Sequence, residues 1–371
     1  MIKLTIKPFD VLFFGSGKPF NMGDVAESVF PPHPTTFAGA VCSKIYTHKN
    51  KDVSNILNAV YGPFVEYKGE LLLPKPCNLY GERKKDSGNR FFILKPQNDG
   101  NFRIFKYKNT NKPNIEMLPI YKGSEEIEGF RGFINLKGLK ELLKGNPNTL
   151  NRDIVGNASI FKYDGRVGIK MDRNLNSVGG EENAMYRVKY LELNDDCSFA
   201  FWVDFKDKND EGFLYNTPMV LKLGGEMRSV RYKAENCDFR EFLLKELGLG
   251  EKLDLKREDK VMFLFLSYGV FEGDNFVPKI EGFKVISMCV DGYSILGINS
   301  KNKGRKTVKS LPPGAVIWAE CEEDISIETL GFLVKDGNGY KVKDMAGDQE
   351  FIGTNLVLVV KGGWICIKRA H

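Results

Sequence analysis

Histidine is scarce in this sequence, and the residue patterns that hold metal ions are missing. Three histidines occur among 371 residues, and the seven cysteines are scattered, with no two of them in a CxxC pair. Because structural zinc sites use clustered cysteines and histidines, we expect no metal site. An odd number of dispersed cysteines instead predicts reduced thiols that lie mostly in the core.

Long apolar runs are missing as well. No run reaches the roughly 18 residues that a membrane-spanning helix needs. The N-terminal stretch MIKLTIKPFD alternates apolar and polar residues and lacks the apolar core of a signal peptide. With 42% hydrophobic and 27% charged residues, the composition is that of a folded globular protein. We therefore expect a cytoplasmic protein with no membrane partner.

The motifs of several enzyme classes do not occur either. The chain has no GxxxxGK[ST] phosphate loop, no HExxH zinc motif, no GxSxG nucleophile turn and no pair of HRD and DFG motifs. The GSGKPF segment at 15–20 has two glycines and a lysine but lacks the spacing of a nucleotide-binding loop. The sequence thus predicts a protein without catalytic residues and without a cofactor.

The segment FPPHPTTFAGA, at 30–40, contains a histidine with two interpretations. His33 stands between two prolines, which fix φ at about −65° and favour an extended chain before a helix. In the first interpretation it belongs to a stiff elbow that can contact a ligand, with Thr35 or Thr36 as the N-cap of the following helix. In the second it is a general base for RNA cleavage. The first is favoured.

The spacing of apolar residues predicts an α+β protein with few helices and many strands. Helices are expected at 35–48, 51–62, 136–145 and 238–250, and VMFLFLSYG at 261–269 is typical of a central strand. The charged stretch KLDLKREDK at 252–260 is the best candidate for a boundary. We therefore expect domains at 1–250 and 251–371, with insertions at about 80–190 in the first.

Basic residues exceed acidic ones only slightly, 54 against 48, which gives a net charge of +6. Such an excess permits a polyanionic partner without requiring one, so the positions of the cations matter more than their number. Three stretches are rich in basic residues, at 165–193, 221–233 and 301–309.

The first basic stretch, GRVGIKMDRNLNSVGGEENAMYRVKYLEL, predicts a long β-hairpin. Apolar residues alternate with basic ones along both strands, so we expect one apolar face and one basic face. The basic face is either solvated or lies along a phosphate backbone. In the second case the contacts are made by Arg166, Lys170, Arg173, Arg187 and Lys189.

The other two basic stretches contain glycines. In LKLGGEMRSVRYK, at 221–233, Gly224 and Gly225 allow backbone N–H groups to approach an anion, and Arg228 and Arg231 suit phosphate contacts. An ordinary glycine turn before an edge strand is the alternative. KNKGRKTVK, at 301–309, is either a solvated loop or a nucleic-acid contact through Lys303, Arg305 and Lys306.

Five segments, in this order, resemble one family. They are FFGSGKPF at 13–20, SVFPPHPTTFAGAV at 28–41, GRVGIKMDRN at 165–174, LKLGGEMRSV at 221–230 and SLPPGAVIWAE at 310–320. The family is subunit three of the type III-B CRISPR (Cmr) effector complex, a member of the RAMP superfamily. Met171 departs from the leucine that the family often has, and Pro313, Ala315 and Ile317 vary the last element.

The resemblance implies two ferredoxin-like (RRM-like) domains in a subunit without catalysis. It implies a place at the 5′ end of the crRNA, where the repeat-derived tag is held. It also implies contacts with the large signalling and DNA-cutting subunit and with the adjacent backbone subunit. The hairpin then grips RNA as a thumb, and the GG-Arg strand is a glycine-rich loop against RNA. Lys18 and His33 are further candidate RNA contacts.

Two other functions stay open on the sequence alone. Some RAMP relatives process crRNA with a histidine, so a metal-independent endoribonuclease with His33 as its base is the main alternative. No second histidine and no obvious acid lies near His33 in the sequence, which weakens that alternative. A protein-interaction module whose basic loops are solvated is the third interpretation.

Overall fold

The computed structural model describes residues 1–16, 25–83, 90–98, 115–150, 152–169, 171–172, 177–178, 185–272, 277–300, 304–344 and 351–362. Within these ranges no helix is long and apolar enough to cross a bilayer. The same ranges contain no group of three or more His, Cys, Asp or Glu side chains arranged to hold a metal ion.

The described ranges contain four α-helices, each capped by a side chain. They are α1 (Pro34–Lys49), α2 (Leu136–Leu143), α3 (Lys208–Asn216) and α4 (Phe239–Leu247). The residue before each helix accepts a hydrogen bond from a backbone N–H of the first turn, which stabilises the helix start. These N-caps are His33, Asn135, Asp207 and Asp238.

Strands form most of the remaining regular structure. Up to residue 100 they are β1 (Ile2–Pro8), β2 (Val25–Glu27), β3 (Leu57–Tyr67), β4 (Glu70–Pro74), β5 (Leu79–Glu82), β6 (Phe91–Ile93) and β7 (Lys95–Gln97). Then follow β8 (Leu118–Ile120), β9 (Ile127–Glu128), β10 (Gly132–Asn135), β11 (Ile154–Gly156), β12 (Phe161–Ile169), β13 (Met171–Asp172), β14 (Ser177–Val178), β15 (Met185–Leu193), β16 (Cys197–Phe205), β17 (Val220–Leu223) and β18 (Arg228–Asn236). The last are β19 (Lys252–Leu255), β20 (Lys260–Phe265), β21 (Phe283–Cys289), β22 (Ser294–Ser300), β23 (Gly304–Ser310), β24 (Val316–Cys321), β25 (Ile325–Glu328), β26 (Leu330–Asp336), β27 (Gly339–Lys343) and β28 (Leu356–Lys361).

The elements gather into two compact units, each built from three segments of the chain. Unit 1 comprises Met1–Glu70, Ala158–Cys237 and Ile295–Lys309, and unit 2 comprises Leu71–Asn157, Asp238–Ser294 and the described residues from Ser310 onward. The units therefore do not divide at residue 250, and the domain division predicted there stays a prediction. Residues 71–157, which include part of the expected insertion, group with the C-terminal residues.

Unit 1 is organised around an antiparallel array of strands in the order β3-β16-β1-β18-β17. The alternation IKLTIKP along β1 buries Ile2, Leu4 and Ile6 on one face. Helix α1 supplies buried partners such as Phe37, whose ring centroid is 5.1 Å from that of Phe201 on β16. The opposite face of β1 and β18 carries lysines, threonine and arginine.

Unit 2 contains a six-stranded sheet in the order β21-β24-β20-β28-β26-β27. Its central strand β20 is buried along most of its length, and Phe263 and Phe265 lie in the core with Ile317 and Val359 of the neighbouring strands. A further sheet has the order β11-β10-β4, and smaller ones have the orders β6-β5-β9, β7-β8 and β19-β25. Helices α2 and α4 are joined by Lys140, whose Nζ donates to the carbonyl of Glu246 at 3.0 Å.

A separate three-stranded sheet of unit 1 has the order β12-β15-β2. Its central strand β15 binds the N-terminal segment at two places. Leu12 and Leu191 exchange backbone hydrogen bonds of 2.8 and 2.7 Å, and β2 pairs with β15 in parallel, with Glu27 beside Lys189. Both ends of the segment between Leu12 and Val25 are therefore attached to β15.

Most of the predicted elements are confirmed, with two exceptions and one omission. The helix expected at 51–62 is wrong, because only Val53–Asn55 forms a 3-10 turn and the residues that follow belong to β3. The cross-strand partners on β16 outweigh the helical spacing of this apolar run. Helix α3 was not predicted. The expected strands at 102–108 and 364–368 lie outside the described residues.

Candidate nucleic-acid interface

The basic hairpin forms as predicted, but its two faces do not. In the observed register, Arg166 lies opposite Val188, and Val167 lies opposite Arg187. Residues directly opposite each other in an antiparallel pair share a face, so each face carries both apolar and basic side chains. The prediction of one apolar and one basic face is therefore wrong. Even-numbered residues of β12 pair with even-numbered ones of β15, while the apolar residues are odd on one strand and even on the other.

One face of the hairpin is exposed and carries two of the predicted cations. Arg187 is exposed beside Val25 and Val167, which are 52% and 55% exposed. Lys189 pairs with Glu27 through Nζ at 3.2 Å. Arg187 is thus free of the acid that accompanies Lys189 and can contact a phosphate directly.

The other face brings two arginines over the ring of Tyr190. The guanidinium carbon of Arg166 is 5.2 Å from the ring centroid, and that of Arg228, at the start of β18, is 5.1 Å away. The Tyr190 hydroxyl donates to Oε1 of Glu226 at 2.7 Å. At exposed sites such cation–π contacts contribute about 0.5–1 kcal/mol each. We call this group the arginine–tyrosine cluster: Asp10, Arg166, Tyr190, Glu226 and Arg228.

Carboxylates hold both arginines of the cluster. Asp10 accepts from Arg166 at 3.4 Å and from Arg228 at 3.5 Å. Asp164 accepts from Nε of Arg166 at 2.8 Å, and Glu226 accepts from Nη2 of Arg228 at 2.8 Å. Three carboxylates therefore surround two guanidinium groups, and an incoming phosphate has to compete with these acids.

The contacts shift the pKa values of the cluster in the directions that ion pairing predicts. The N–H of Val11, together with Arg166 and Arg228, lowers the pKa of Asp10. Hydrogen bonds to Asp164 and Asp10 raise the pKa of Arg166. Burial raises the pKa of Tyr190, and its hydrogen bond to Glu226 adds to the rise. At neutral pH the arginines and Asp10 are therefore charged and the tyrosine is neutral.

The two glycines before β18 pack tightly against the N-terminal segment. Gly224 has a φ of +73°, and a Cβ there would lie 2.5 Å from the carbonyl oxygen of Phe13. The N–H of Gly225 donates to the same oxygen at 2.7 Å. Glu226 and Met227 continue with positive φ values of 59° and 49°. The glycines therefore allow a close backbone contact, and the Gly225 N–H is used within the protein instead of pointing to an anion.

Arg228 and Arg231 lie on different faces of β18. Val230 and Tyr232 are buried, while Arg231 is exposed on the opposite side and lies between Lys7 and Val220 in the register. Arg228 belongs to the arginine–tyrosine cluster. The structure thus separates two residues that the sequence suggested as a pair.

His33 is the N-cap of α1, a role predicted for Thr35 or Thr36. Its backbone is extended, its Nδ1 accepts from the Thr35 N–H at 3.3 Å, and the helix begins at Pro34. Proline suits the first helical position because no N–H is needed there. The ring is half-buried, and burial lowers its pKa to about 4, so it is neutral at pH 7.

The remaining candidate contacts lie partly or wholly outside the description. Arg305 and Lys306 are in β23, but their side chains are not described. The residues outside the described ranges are Lys18, Lys170, Arg173 and Lys303.

Sequence analysis missed the acids of the cluster and the role of Tyr190. A signal was present, because Glu226 directly follows the two glycines and Asp10 directly follows the alternating strand β1. Their meeting with Arg166 depends on β12, β15 and β18 lying together in space, which no local pattern in the sequence specifies.

Comparison with known proteins places these features in a context. Residues 4–361 match the model of a family described as CRISPR-associated protein (Cas_Cmr3). Among curated proteins, the CRISPR system CMR subunit Cmr3 of Saccharolobus solfataricus is 24% identical over 247 residues. The match covers 64% of this chain and 64% of that relative.

Solved structures resemble the chain in fold. One is a chain from the cryo-EM structure of the Type III-B Cmr-beta bound to cognate target RNA, with a TM-score of 0.50 and 17% identity over 85% of this chain and 86% of that chain. Another is from the same assembly bound to cognate target RNA and AMPPnP, with a TM-score of 0.48, 19% identity and the same coverage.

Proposed function

The chain belongs to the Cmr3 family of CRISPR-associated proteins, and from this premise we propose that it is a non-catalytic RNA-binding scaffold of a type III-B effector complex. The observation that carries the proposal is the arginine–tyrosine cluster, formed where the basic hairpin meets the glycine loop. Planar guanidinium groups next to an aromatic ring are suited to phosphates and unpaired bases.

We propose the 5′ tag of crRNA as the RNA that it holds, in the cytoplasm. The large signalling and DNA-cutting subunit and the adjacent backbone subunit are the proposed protein partners. Contacts to the RNA backbone come from Arg166, Arg187, Lys189, Arg228 and Arg231, together with the remaining basic candidates Lys18, Lys170, Arg173, Lys303, Arg305 and Lys306. Gly224 and Gly225 shape the loop that carries Arg228.

Strand order supports a further proposal, that both units are variants of the ferredoxin-like fold. In unit 1 the chain order β1-α1-β3-β16-α3-β18 gives the spatial order β3-β16-β1-β18, which fits the βαββαβ pattern of that fold. In unit 2, β20, β21, β24 and β28 repeat the same spatial order, as β21-β24-β20-β28. Within its described residues, no helix joins those four strands.

The acids of the cluster define how RNA would enter. A phosphate replaces Asp10 between Arg166 and Arg228, while Asp164 and Glu226 keep the two guanidinium planes oriented. Because the arginines are held in place before binding, less side-chain entropy is lost when the RNA arrives. Competition with a carboxylate also means that the contact weakens as salt rises.

Binding of tag-containing crRNA to the reconstituted complex tests the proposal. Replacing Arg166 and Arg228 together with glutamine should weaken binding and reduce the slope of log K against log salt by about 1.4, since each lost contact to a single strand removes about 0.7. Arg257→Gln, in unit 2, is a matched control that should leave both unchanged. An unchanged slope in the double variant would sink the assignment.

The alternative of an endoribonuclease receives no support from the geometry. The Nδ1 of His33 caps α1 and is 2.5 Å from the Thr35 hydroxyl, and the ring is half-buried. Incubating the protein with repeat RNA decides between the two functions. Cleavage that disappears in His33→Ala would establish the nuclease and overturn the scaffold proposal.

A further inference from the structure

A second group of cations lies on the face of the unit 1 sheet that points away from α1. Lys222, Arg231, Lys233 and Lys7 come from three neighbouring strands, β17, β18 and β1. In the register, Arg231 lies beside Lys7, Lys233 lies beside Thr5, and Lys222 lies beside Ser229. Residues aligned in register share a face, so the four cations form one basic surface.

These cations are available to a partner. Lys222, Arg231 and Lys233 are exposed, and Lys7 is half-buried. Within the described part of the chain, none of the four forms an ion pair with an acid. Lys7 donates to the carbonyl of Asp195 at 2.5 Å, and Lys222 to the hydroxyl of Ser229 at 2.7 Å.

The surface ends where acids appear. Glu235, the next residue of this face along β18, lies opposite Lys3 in the register. Lys3 in turn pairs with Glu66 at 2.5 Å. Beyond Lys233 the positive charge is therefore balanced, whereas between Lys233 and Lys222 it is not.

An exposed aromatic ring lies on the same surface. Phe9 follows β1 two residues after Lys7, and its N–H donates to the carbonyl of Ser229 at 3.5 Å, which continues the pairing of β1 with β18. Alternation therefore places Phe9 on the side of Lys7, while Asp10 points to the arginine–tyrosine cluster. Phe9 is 62% exposed, although burial of such a ring is normally favourable.

We propose that this face is a second binding surface for single-stranded RNA, in which Phe9 stacks on a base and Lys7, Lys222, Arg231 and Lys233 contact phosphates. An exposed ring among unpaired cations is the combination that single-strand binding uses. An acidic protein surface would satisfy the cations but would have no use for the ring. The inference extends the proposed RNA-binding function to a different face, and apart from Arg231 it uses residues that the tag site does not.

Binding of a short oligouridylate of about eight nucleotides to the full-length chain, measured by fluorescence anisotropy, tests the surface. Phe9→Ala should weaken binding by about 5- to 150-fold, the range for loss of one stacked base. Binding of an abasic strand of the same length should not change. Lys7→Gln and Lys233→Gln should each reduce the salt slope by about 0.7.

Matched controls and a second variant make the result decisive. Tyr46→Ala removes a ring that is 51% exposed on α1, and Lys137→Gln removes an exposed cation on α2, and neither should alter binding. Phe9→Trp should retain affinity, and Phe9→Leu should lose it while keeping apolar bulk at the site.

The outcomes separate this surface from the tag site. Arg166→Gln with Arg228→Gln should leave the Phe9-dependent binding of oligouridylate intact, so failure of the tag proposal does not imply failure here. Equal affinity of wild type, Phe9→Ala and Phe9→Leu would overturn the inference. So would polyglutamate of matched charge binding as tightly as RNA without any dependence on Phe9, which would identify a docking surface for an acidic protein.

Discussion

Arg166 and Arg228 come from different strands, yet both pair with the single carboxylate of Asp10 and both lie over the ring of Tyr190. Two positive groups therefore face three negative ones, Asp10, Asp164 and Glu226, within one cluster. Such a site is no simple basic patch. The acids orient the arginines, and they also set a threshold that only a strong anion passes.

Removing the carboxylate of Asp10 should tighten RNA binding. In Asp10→Asn the competitor for the two arginines is gone, and we expect affinity to rise by about two- to fivefold, as an exposed ion pair contributes about 0.2–1 kcal/mol. Anisotropy at several salt concentrations measures the change. Asp324→Asn, which removes the same charge from unit 2, is the control. Weaker binding by Asp10→Asn would show that Asp10 only orients the arginines.

The hydroxyl of Tyr190 should contribute to stability. Tyr190→Phe keeps the ring beneath both arginines but removes the 2.7 Å hydrogen bond to Glu226. We expect the free energy of unfolding to fall by about 1–2 kcal/mol, because the acceptor is charged. Urea denaturation followed by circular dichroism measures it. A value equal to wild type would mean that water replaces the hydroxyl at no cost.

The glycine loop should not tolerate a side chain at Gly224. Gly224→Ala combines a φ of +73° with a Cβ 2.5 Å from the Phe13 carbonyl oxygen, so we expect a loss of about 1–3 kcal/mol in the free energy of unfolding. Gly212→Ala, in α3, is the matched control, since nothing lies within 4 Å of its Cβ position. That control should be neutral or stabilising by about 0.5–1 kcal/mol. Equal stability of both variants would contradict the packing described here.

Stability should fall in mild acid because of His33. Its pKa in the folded protein, about 4, is below the ordinary 6.5, so below pH 6.5 the unfolded chain takes up a proton that the folded chain does not. The stabilisation is complete above pH 6.5 and is lost as the pH falls toward 4, by an amount on the order of 1–3 kcal/mol. His33→Asn keeps a capping side chain without a titrating ring. It should remove this part of the pH dependence, and an identical profile in both proteins would refute the assignment.

Alternation and capping were legible in the sequence, whereas register was not. The strands of the hairpin could be recognised from period-two patterns, and α4 from its spacing and Gly248. Which face Arg166 or Arg187 occupies depends on how many residues the connecting turn takes up. A shift of one residue exchanges the faces, and local composition does not determine that number.

The candidate site was foreseen in its basic residues but not in its construction. Arg166, Arg187 and Arg228 were named because cations suit RNA, and the structure brings Arg166 and Arg228 together. Asp10 was missed because acids contradict a search for positive charge, and Phe9 because exposure cannot be read from one aromatic at a strand end. His33 was assigned correctly to the elbow before α1, but its ring, not a threonine, caps the helix.

The double attachment of the N-terminal segment to β15 makes that segment a suitable insertion site for protein engineering. With Leu12 fixed to Leu191 and Val25–Glu27 paired along the same strand, the ends of the connection stay in place whatever its length. Loop-closure entropy rises by only about 0.6 kcal/mol for each doubling in length. A fluorescent reporter or a purification tag introduced between those anchors would therefore leave the register of the hairpin unchanged.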